Sequence, residues 1–333
     1  MGFNTELLHG TKTGDPHTGA TLTPVYQSSA FFQPSAEQHE KLFHNKANGY
    51  SYTRINNPTI AAFEERMTVL ERGVASVACA SGMAALTNAL LNIVGSGQEI
   101  IASTSLYGGT IELGADIVIN STSKYINGNS SAISGVITDG GKFKWNVQQY
   151  PGLKDYLKFG KFAFTAKLRN GLFRNMGACM APQTAFYNLL GMETLGLRME
   201  RACDNAAQLA AYLDKIPGIT VNYPGLYSSP WHEVAERVLD ERYGAILTIR
   251  VGSKERAFAI MNQLKIPQIV SNIGDTKTLI VHPESTLAAH STEAEKRDAA
   301  VYDDMIRVSV GIEDIEDLVK DFEAAIADTA EML

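Results

Sequence analysis

VASVACASGMAALTNALLNIV, residues 74–94, sets the fold class. Val74 to Cys79 is a short, continuous apolar run of small and β-branched residues, the pattern of a strand buried on both faces. Ser81-Gly82 follows at once, and from Met83 to Val94 the apolar residues recur at helical spacing. Strand, tight turn and helix in that order form the first step of an α/β unit. Upstream, Asn57-Pro58-Thr59 predicts a helix start, with Asn57 as cap and Pro58 in the first turn. Ile60, Phe63, Met67 and Leu70 line one face, and the helix is expected to stop near Gly73. Residues 1–48 carry Gly, Pro, Thr and His with weak periodicity, and are expected to form an extended N-terminal arm.

Downstream, Glu99 to Ser103 and Asp116 to Asn120 read as further buried strands of a parallel sheet. Residues 183–214 form one long amphipathic stretch interrupted by Gly191 and Gly196, able to bridge two domains. The boundary is placed near Pro217, giving a large domain over 49–216 and a C-terminal domain over 217–333. In the latter, Gly244 to Val251, Thr278 to His282 and Met305 to Val310 predict strands. Ile312 to Ile326 predicts a terminal helix with Ile315, Leu318, Val319 and Phe322 inward, so a smaller α+β domain is expected. No internal repeat or low-complexity tract is present.

The 333 residues hold 29 Lys plus Arg against 36 Asp plus Glu, a net charge of −7 that offers nothing to a nucleic-acid backbone. Cys79, Cys179 and Cys203 are far apart and form no C-x-x-C pair, which argues against a zinc site and against a secreted disulfide framework, and fits a reducing cytoplasm. The start MGFNTELLHG has neither a basic nor an apolar signal region, and Glu6 stands where a myristoylation motif wants Ser or Thr. No apolar run is long enough to span a bilayer.

Four places could carry chemistry. At Ala80-Ser81-Gly82-Met83 a helix begins at a strand's end, where free N–H groups and the positive dipole end favour a phosphate. Most such Ser-Gly turns are only caps. In Asn120-Ser121-Thr122-Ser123-Lys124-Tyr125 a lysine follows a strand amid three hydroxyls. Such a lysine is ordinarily a solvated charge, but a desolvated amine beside a cationic ring could form a Schiff base with an aldehyde. GYSYTRINNPT (49–59) sets Tyr52 and Arg54 two apart on an extended segment, side by side for a phosphate. Arg307, at the start of RVSVGIEDIEDL, is suited to bidentate contact with a carboxylate.

YSYTRINNPT, ASGMAA, SLYGGT, STSKYINGNSS and RVSVGIEDIEDL, in this order, resemble the cystathionine γ-synthase-like family of pyridoxal-phosphate (PLP) enzymes of cysteine and methionine metabolism. The resemblance implies an α/β fold of the PLP-dependent transferase type I, aspartate-aminotransferase-like, with a mostly parallel sheet in the large domain. It points to Lys124 as the residue bonded to PLP, and to Ser81, Gly82, Met83, Ser121 and Ser123 as the phosphate cradle. Tyr107 would stack on the ring and assist catalysis. Tyr52 and Arg54 would reach the phosphate of a neighbouring subunit, which implies a homodimer at minimum and a homotetramer by family habit. Arg307, with the backbone near Ser271, would hold the substrate's α-carboxylate.

VSNIGDTKTLIVHP (270–283), VNYPGLYSSPWHEVAERVL (221–239) and Gly109, where methionine γ-lyases usually carry cysteine, lean toward the O-acetylhomoserine sulfhydrylase branch. The implied reaction converts O-acetyl-L-homoserine and sulfide to L-homocysteine and acetate. Cystathionine γ-synthase or methionine γ-lyase chemistry on the same scaffold is the alternative, as is a non-catalytic member kept as a binding or assembly partner. One departure is large. Thr110 runs directly into Ile111, where the family has about three more βα units of roughly 30 residues each, and a shorter shortfall lies near 153–159. Those units would carry the Asp that partners the pyridine nitrogen and the Asn near the ring hydroxyl. Their loss would bare sheet edges and apolar helix faces, so the expectation is that they belong to the folded protein and that the sequence is closed up across them.

Overall fold

The computed structural model describes residues 2–11, 14–44, 46–98, 115–239 and 242–332. The chain separates into two compact units, Met1–Glu193 and Thr194–Leu333. The division falls ahead of the expected position near Pro217. The stretch 183–214 is broken at Thr194 into two helices, Pro182–Glu193 and Leu195–Leu213, one in each unit.

The first unit contains α1 (Phe3–His9), α2 (Ala36–Phe43), α3 (Pro58–Leu70), β1 (Ala75–Cys79), α4 (Gly82–Ile93), β2 (Ile117–Asn120), β3 (Gly135–Asp139), a 3₁₀ stretch (Pro151–Phe162), α5 (Ala163–Asn170), α6 (Leu172–Met176) and α7 (Pro182–Glu193). The N-terminal arm is thus not wholly extended, since it holds two short helices, and Leu7 of α1 is buried. α3 starts as its sequence predicts: Asn57 Oδ1 accepts from Thr59 N at 2.9 Å, and Pro58 needs no donor in the first turn.

The sheet order is β1-β3-β2, and both pairings to β3 are antiparallel. The expected parallel direction of β1 and β2 holds, but they are not adjacent, and the strand between them, β3, which the sequence reading did not single out, is antiparallel to both. A continuous apolar strand looks alike in either direction, because burial on both faces, not strand polarity, removes the alternation. The expected strand 99–103 lies outside the described residues.

Alternation across the pleat sorts the core into two layers. Ala78 and Val136 pack with Ile60, Phe63 and Met67 of α3 and with Ala185, Leu189 and Met192 of α7. Val77, Cys79 and Ile137 pack on the other face with Ala85 and Ala89 of α4, Phe164 and Leu168 of α5, and Phe173 of α6.

The second unit contains α8 (Leu195–Leu213), β4 (Thr220–Asn222), α9 (His232–Leu239), β5 (Ile246–Arg250), α10 (Lys254–Gln263), β6 (Gln268–Ile269), β7 (Leu279–Val281), α11 (Glu293–Asp298), β8 (Met305–Ser309) and α12 (Ile315–Ala327). Its sheet has the order β4-β5-β8-β7-β6, antiparallel except for β6 with β7. The expected α+β character holds. In α12, Ile315, Leu318 and Phe322 are buried as expected and Val319 is only half-buried, because the inward stripe continues through Ala325 and Ile326.

Candidate active site

Three chain ends meet at one edge of the first unit: the turn from β1 into α4, the loop after β2, and the start of β3. Ser81 caps α4 by accepting from Ala84 N at 3.0 Å. The amides of Gly82 and Met83 lie in the first turn and have no intrahelical acceptor, so they face outward with the positive end of the dipole. A Cβ on Gly82 would lie 2.8 Å from Ser121 Cβ and 2.9 Å from its Oγ. The missing side chain is what lets the Ser121 hydroxyl sit against the helix start. A Cβ on Gly135 would lie 2.3 Å from Ser81 O, so β3 presses equally closely on the same turn.

Lys124 stands in the loop after β2, and a buried polar network fixes that loop. Thr122 Oγ1 donates to Ser134 Oγ at 2.7 Å. Asn188 of α7 donates to the same oxygen at 3.0 Å and accepts from Asn127 Nδ2 at 3.3 Å. Ser123 Oγ accepts from Ser134 N at 2.8 Å and donates to Ser134 O at 3.1 Å, so its hydroxyl clamps the loop to the chain leading into β3. Gly191 completes the support: a Cβ there would lie 2.4 Å from Ile126 O and 2.5 Å from Asn127 O. Asn127, Ser134, Gly135 and Asn188 were not singled out in the sequence, and Thr122 and Gly191 were read only as one of the hydroxyls near Lys124 and as a helix interruption. Their only signal is a polar residue or glycine inside an apolar stretch.

The arrangement fits a phosphorylated aldehyde at one end. Outward amides, the Ser121 hydroxyl and an amine-bearing loop converge within one local cluster, packed so closely that no side chain fits at Gly82 or Gly135. The Met83 side chain is exposed. Tyr107 lies outside the described residues.

Arg54 lies beside the segment that pairs with the end of β1, where a Cβ on Gly177 would lie 3.7 Å from Arg54 Cδ. Tyr52 and Arg54 line an open cavity of about 610 Å³ with Phe31, His39, Phe43 and Arg174, and no residue of the Lys124 cluster lines it. The Arg54 guanidinium lies 5.5 Å from the Tyr52 ring centroid and donates to Arg174 O in α6. In the second unit, Arg307 sits on central β8 opposite Thr248 of β5 and Val281 of β7. Its Nη2 donates to Asn272 O at 3.2 Å, which brings it to the segment holding Ser271. No group of three or more metal-ligating side chains occurs among the described residues, and no described helix is long and apolar enough to cross a membrane.

The family model for Cys/Met metabolism PLP-dependent enzymes matches residues 4–113 and 110–327, two blocks that overlap at 110–113, across the Thr110–Ile111 junction. An O-acetyl-L-homoserine sulfhydrylase of Corynebacterium glutamicum is 32% identical, covering 98% of this chain and 97% of that protein. A homocysteine synthase of Schizosaccharomyces pombe is 30% identical over 97% of this chain and 98% of its own. A Campylobacter jejuni structure described as an O-acetylhomoserine (thiol)-lyase, carrying a pyridoxyl-lysine phosphate, superposes with a TM-score of 0.91 at 25% identity. It covers 98% of this chain and 100% of that one. The first of these alignments runs over 424 positions and takes in 98% of a chain of 333 residues, so about 100 positions are filled by the relative alone.

Proposed function

Since the chain belongs to the Cys/Met metabolism PLP-dependent enzyme family, we propose that it carries out γ-replacement, converting O-acetyl-L-homoserine and sulfide to L-homocysteine and acetate. The observation that carries this reading is the Lys124 loop, fastened by Thr122, Ser134 and Asn188 beside the capped start of α4. PLP bound there supplies an electron sink for negative charge developing at the substrate Cα.

The chain's own groups do the rest. The α4 amides with the Ser81 and Ser121 hydroxyls hold the phosphate, and Ser123 keeps the loop in register. The Lys124 amine would move the proton from Cα, take one from Cβ as acetate leaves Cγ, and return them once sulfide has added, all within reach of one flexible side chain. Tyr107, which lies outside the described residues, would hold the ring and assist the departure of the leaving group. Arg307 grips the α-carboxylate, assisted by the backbone at Ser271. Tyr52 and Arg54 line an open cavity that no residue of the Lys124 cluster lines, which supports their serving a neighbouring copy. The working form is then at least a homodimer, with a homotetramer as the fuller assembly, and the cytoplasm as its compartment.

The two-block match favours a second reading. By the family resemblance, the carboxylate that would keep the ring nitrogen protonated falls in the stretch with no counterpart between Thr110 and Ile111. A protein that binds PLP without that partner would keep the lysine bond and lose carbanion chemistry.

Adding PLP and following visible absorbance together with homocysteine release, with sulfide, cysteine and methionine offered in competition, separates these readings. Absorbance and sulfide-dependent turnover, both lost in Lys124→Ala, support γ-replacement. Lysine-dependent absorbance without turnover by any donor supports the second reading. Turnover surviving Lys124→Ala would remove Lys124 from the centre of the site.

A further inference from the structure

Cys79 and Cys179 lie 100 residues apart in sequence yet face each other across an isolated antiparallel bridge. The neighbouring hydrogen bond, Ala80 N to Ala178 O at 2.9 Å, makes them a non-hydrogen-bonded pair. In such pairs the Cα atoms are about 4.5 Å apart and the side chains approach most closely. That spacing lies within the roughly 4.4–6.8 Å Cα range that a disulfide spans. Both side chains also turn to the same side, since Cys79 belongs to the α4–α5–α6 core layer and Cys179 packs against it.

We propose that Cys79 and Cys179 form an oxidisable pair that closes to a disulfide beside the turn that starts α4. The bond would tie two parts of the site together. Cys79 is two residues before Ser81, the cap of α4. Cys179 is two residues after Gly177, where a Cβ would lie 3.7 Å from Arg54 Cδ.

The chemistry needs a thiol-accessible oxidant, and a low-molecular-weight disulfide supplies it. Cys179 is half-buried and has the Arg54 cation nearby, so it is the first to react; burial raises its thiol, and the cation opposes that rise. Its thiolate attacks one sulfur of the small disulfide, forming a mixed disulfide and expelling one thiolate. Cys79 then loses its proton to the medium and attacks the Cys179 sulfur, expelling the second thiolate. Two protein thiols are oxidised and one small disulfide is reduced to two thiols. Cys79 is fully buried and its thiol is pushed up to about 12, so the second step is the slow one.

The full chain is incubated with oxidised glutathione, then unfolded in acid, alkylated and weighed. The expected product has lost two hydrogens, takes one alkyl group in place of three, and yields a proteolytic fragment joining the Cys79 and Cys179 peptides. Cys203, buried on α8, remains the alkylated thiol. Cys79→Ser is expected to trap one glutathione on Cys179, and Cys179→Ser to take none. Three alkylatable thiols after treatment, or a linkage that includes Cys203, would overturn the proposal, as would a glutathione adduct that persists on Cys179 with Cys79 intact.

Discussion

Replacing Gly191 by alanine sets two effects of opposite sign against each other where α7 passes the Lys124 loop. Gly191 lies inside a helix, so alanine gains about 1 kcal/mol of helix propensity. The new Cβ, however, would lie 2.4 Å from Ile126 O and 2.5 Å from Asn127 O, both main-chain atoms. To relieve this the loop must retreat by several tenths of an ångström. It is pinned by Asn127 N to Thr122 O at 3.0 Å and by the Asn188 bonds to Ser134 and Asn127. Overpacking against a fixed neighbour costs roughly 1–3 kcal/mol, and each stretched buried hydrogen bond forfeits about 0.5–1.5 kcal/mol more. The balance is a net loss of about 1–3 kcal/mol. The first unit has 193 residues, a size for which each kcal/mol moves the melting temperature by roughly 2–4 °C. Calorimetry should therefore show a fall of roughly 2–12 °C in this unit's transition, and PLP should bind the displaced lysine more weakly by absorbance titration. A melting temperature equal to or above that of the wild type would mean that the loop yields freely, and that α7 does not hold Lys124 in place.

Ser81→Ala removes the bond from Ala84 N and should cost about 0.5–2 kcal/mol, while Ser81→Gly should cost only a few tenths; paired thermal melts test this, and equal losses would count against a capping role. Burial pushes the Asp139 carboxyl up to about 6, against the lowering effect of Gly141 N, which donates to it at 2.8 Å, and with nearby Asp116 adding to the rise. The folded state thus prefers the protonated form. This contribution is complete below the unfolded value of about 3.9, is lost as pH rises to about 6, and is absent above it. Asp139→Asn should flatten the decline, as read from denaturation midpoints across that window. In the second unit, Lys296 at 2.5 Å and Lys254 at 2.9 Å hold the Glu284 carboxyl at about 2. Its contribution is present above about 4.3 and lost as pH falls from there toward 2; Glu284→Gln should lower stability at neutral pH and remove that acid-side loss, with a smaller effect in high salt.

What the sequence determined by itself is what neighbours along the chain decide. The Asn57-Pro58 start of α3, the Ser81-Gly82 turn, the strand 75–79 and the helical stripe of α12 rest on contacts a few residues apart, and each formed close to where it was read. The lysine motif was legible for the same reason, as a run of hydroxyls around one amine after a strand. Tertiary structure alone decided the rest. The antiparallel insertion of β3 between β1 and β2 depends on how the chain returns from residue 121 to 134, which no local pattern records. Asn188 reaches Thr122 and Ser134 over 66 and 54 residues, and Gly191 matters only because two carbonyls of another segment stand against it. Cys79 and Cys179, read as unrelated in the sequence, became neighbours by the same route. Local backbone preference acts over one turn of helix or one strand. Buried hydrogen bonds and close packing act wherever the folded chain brings atoms together.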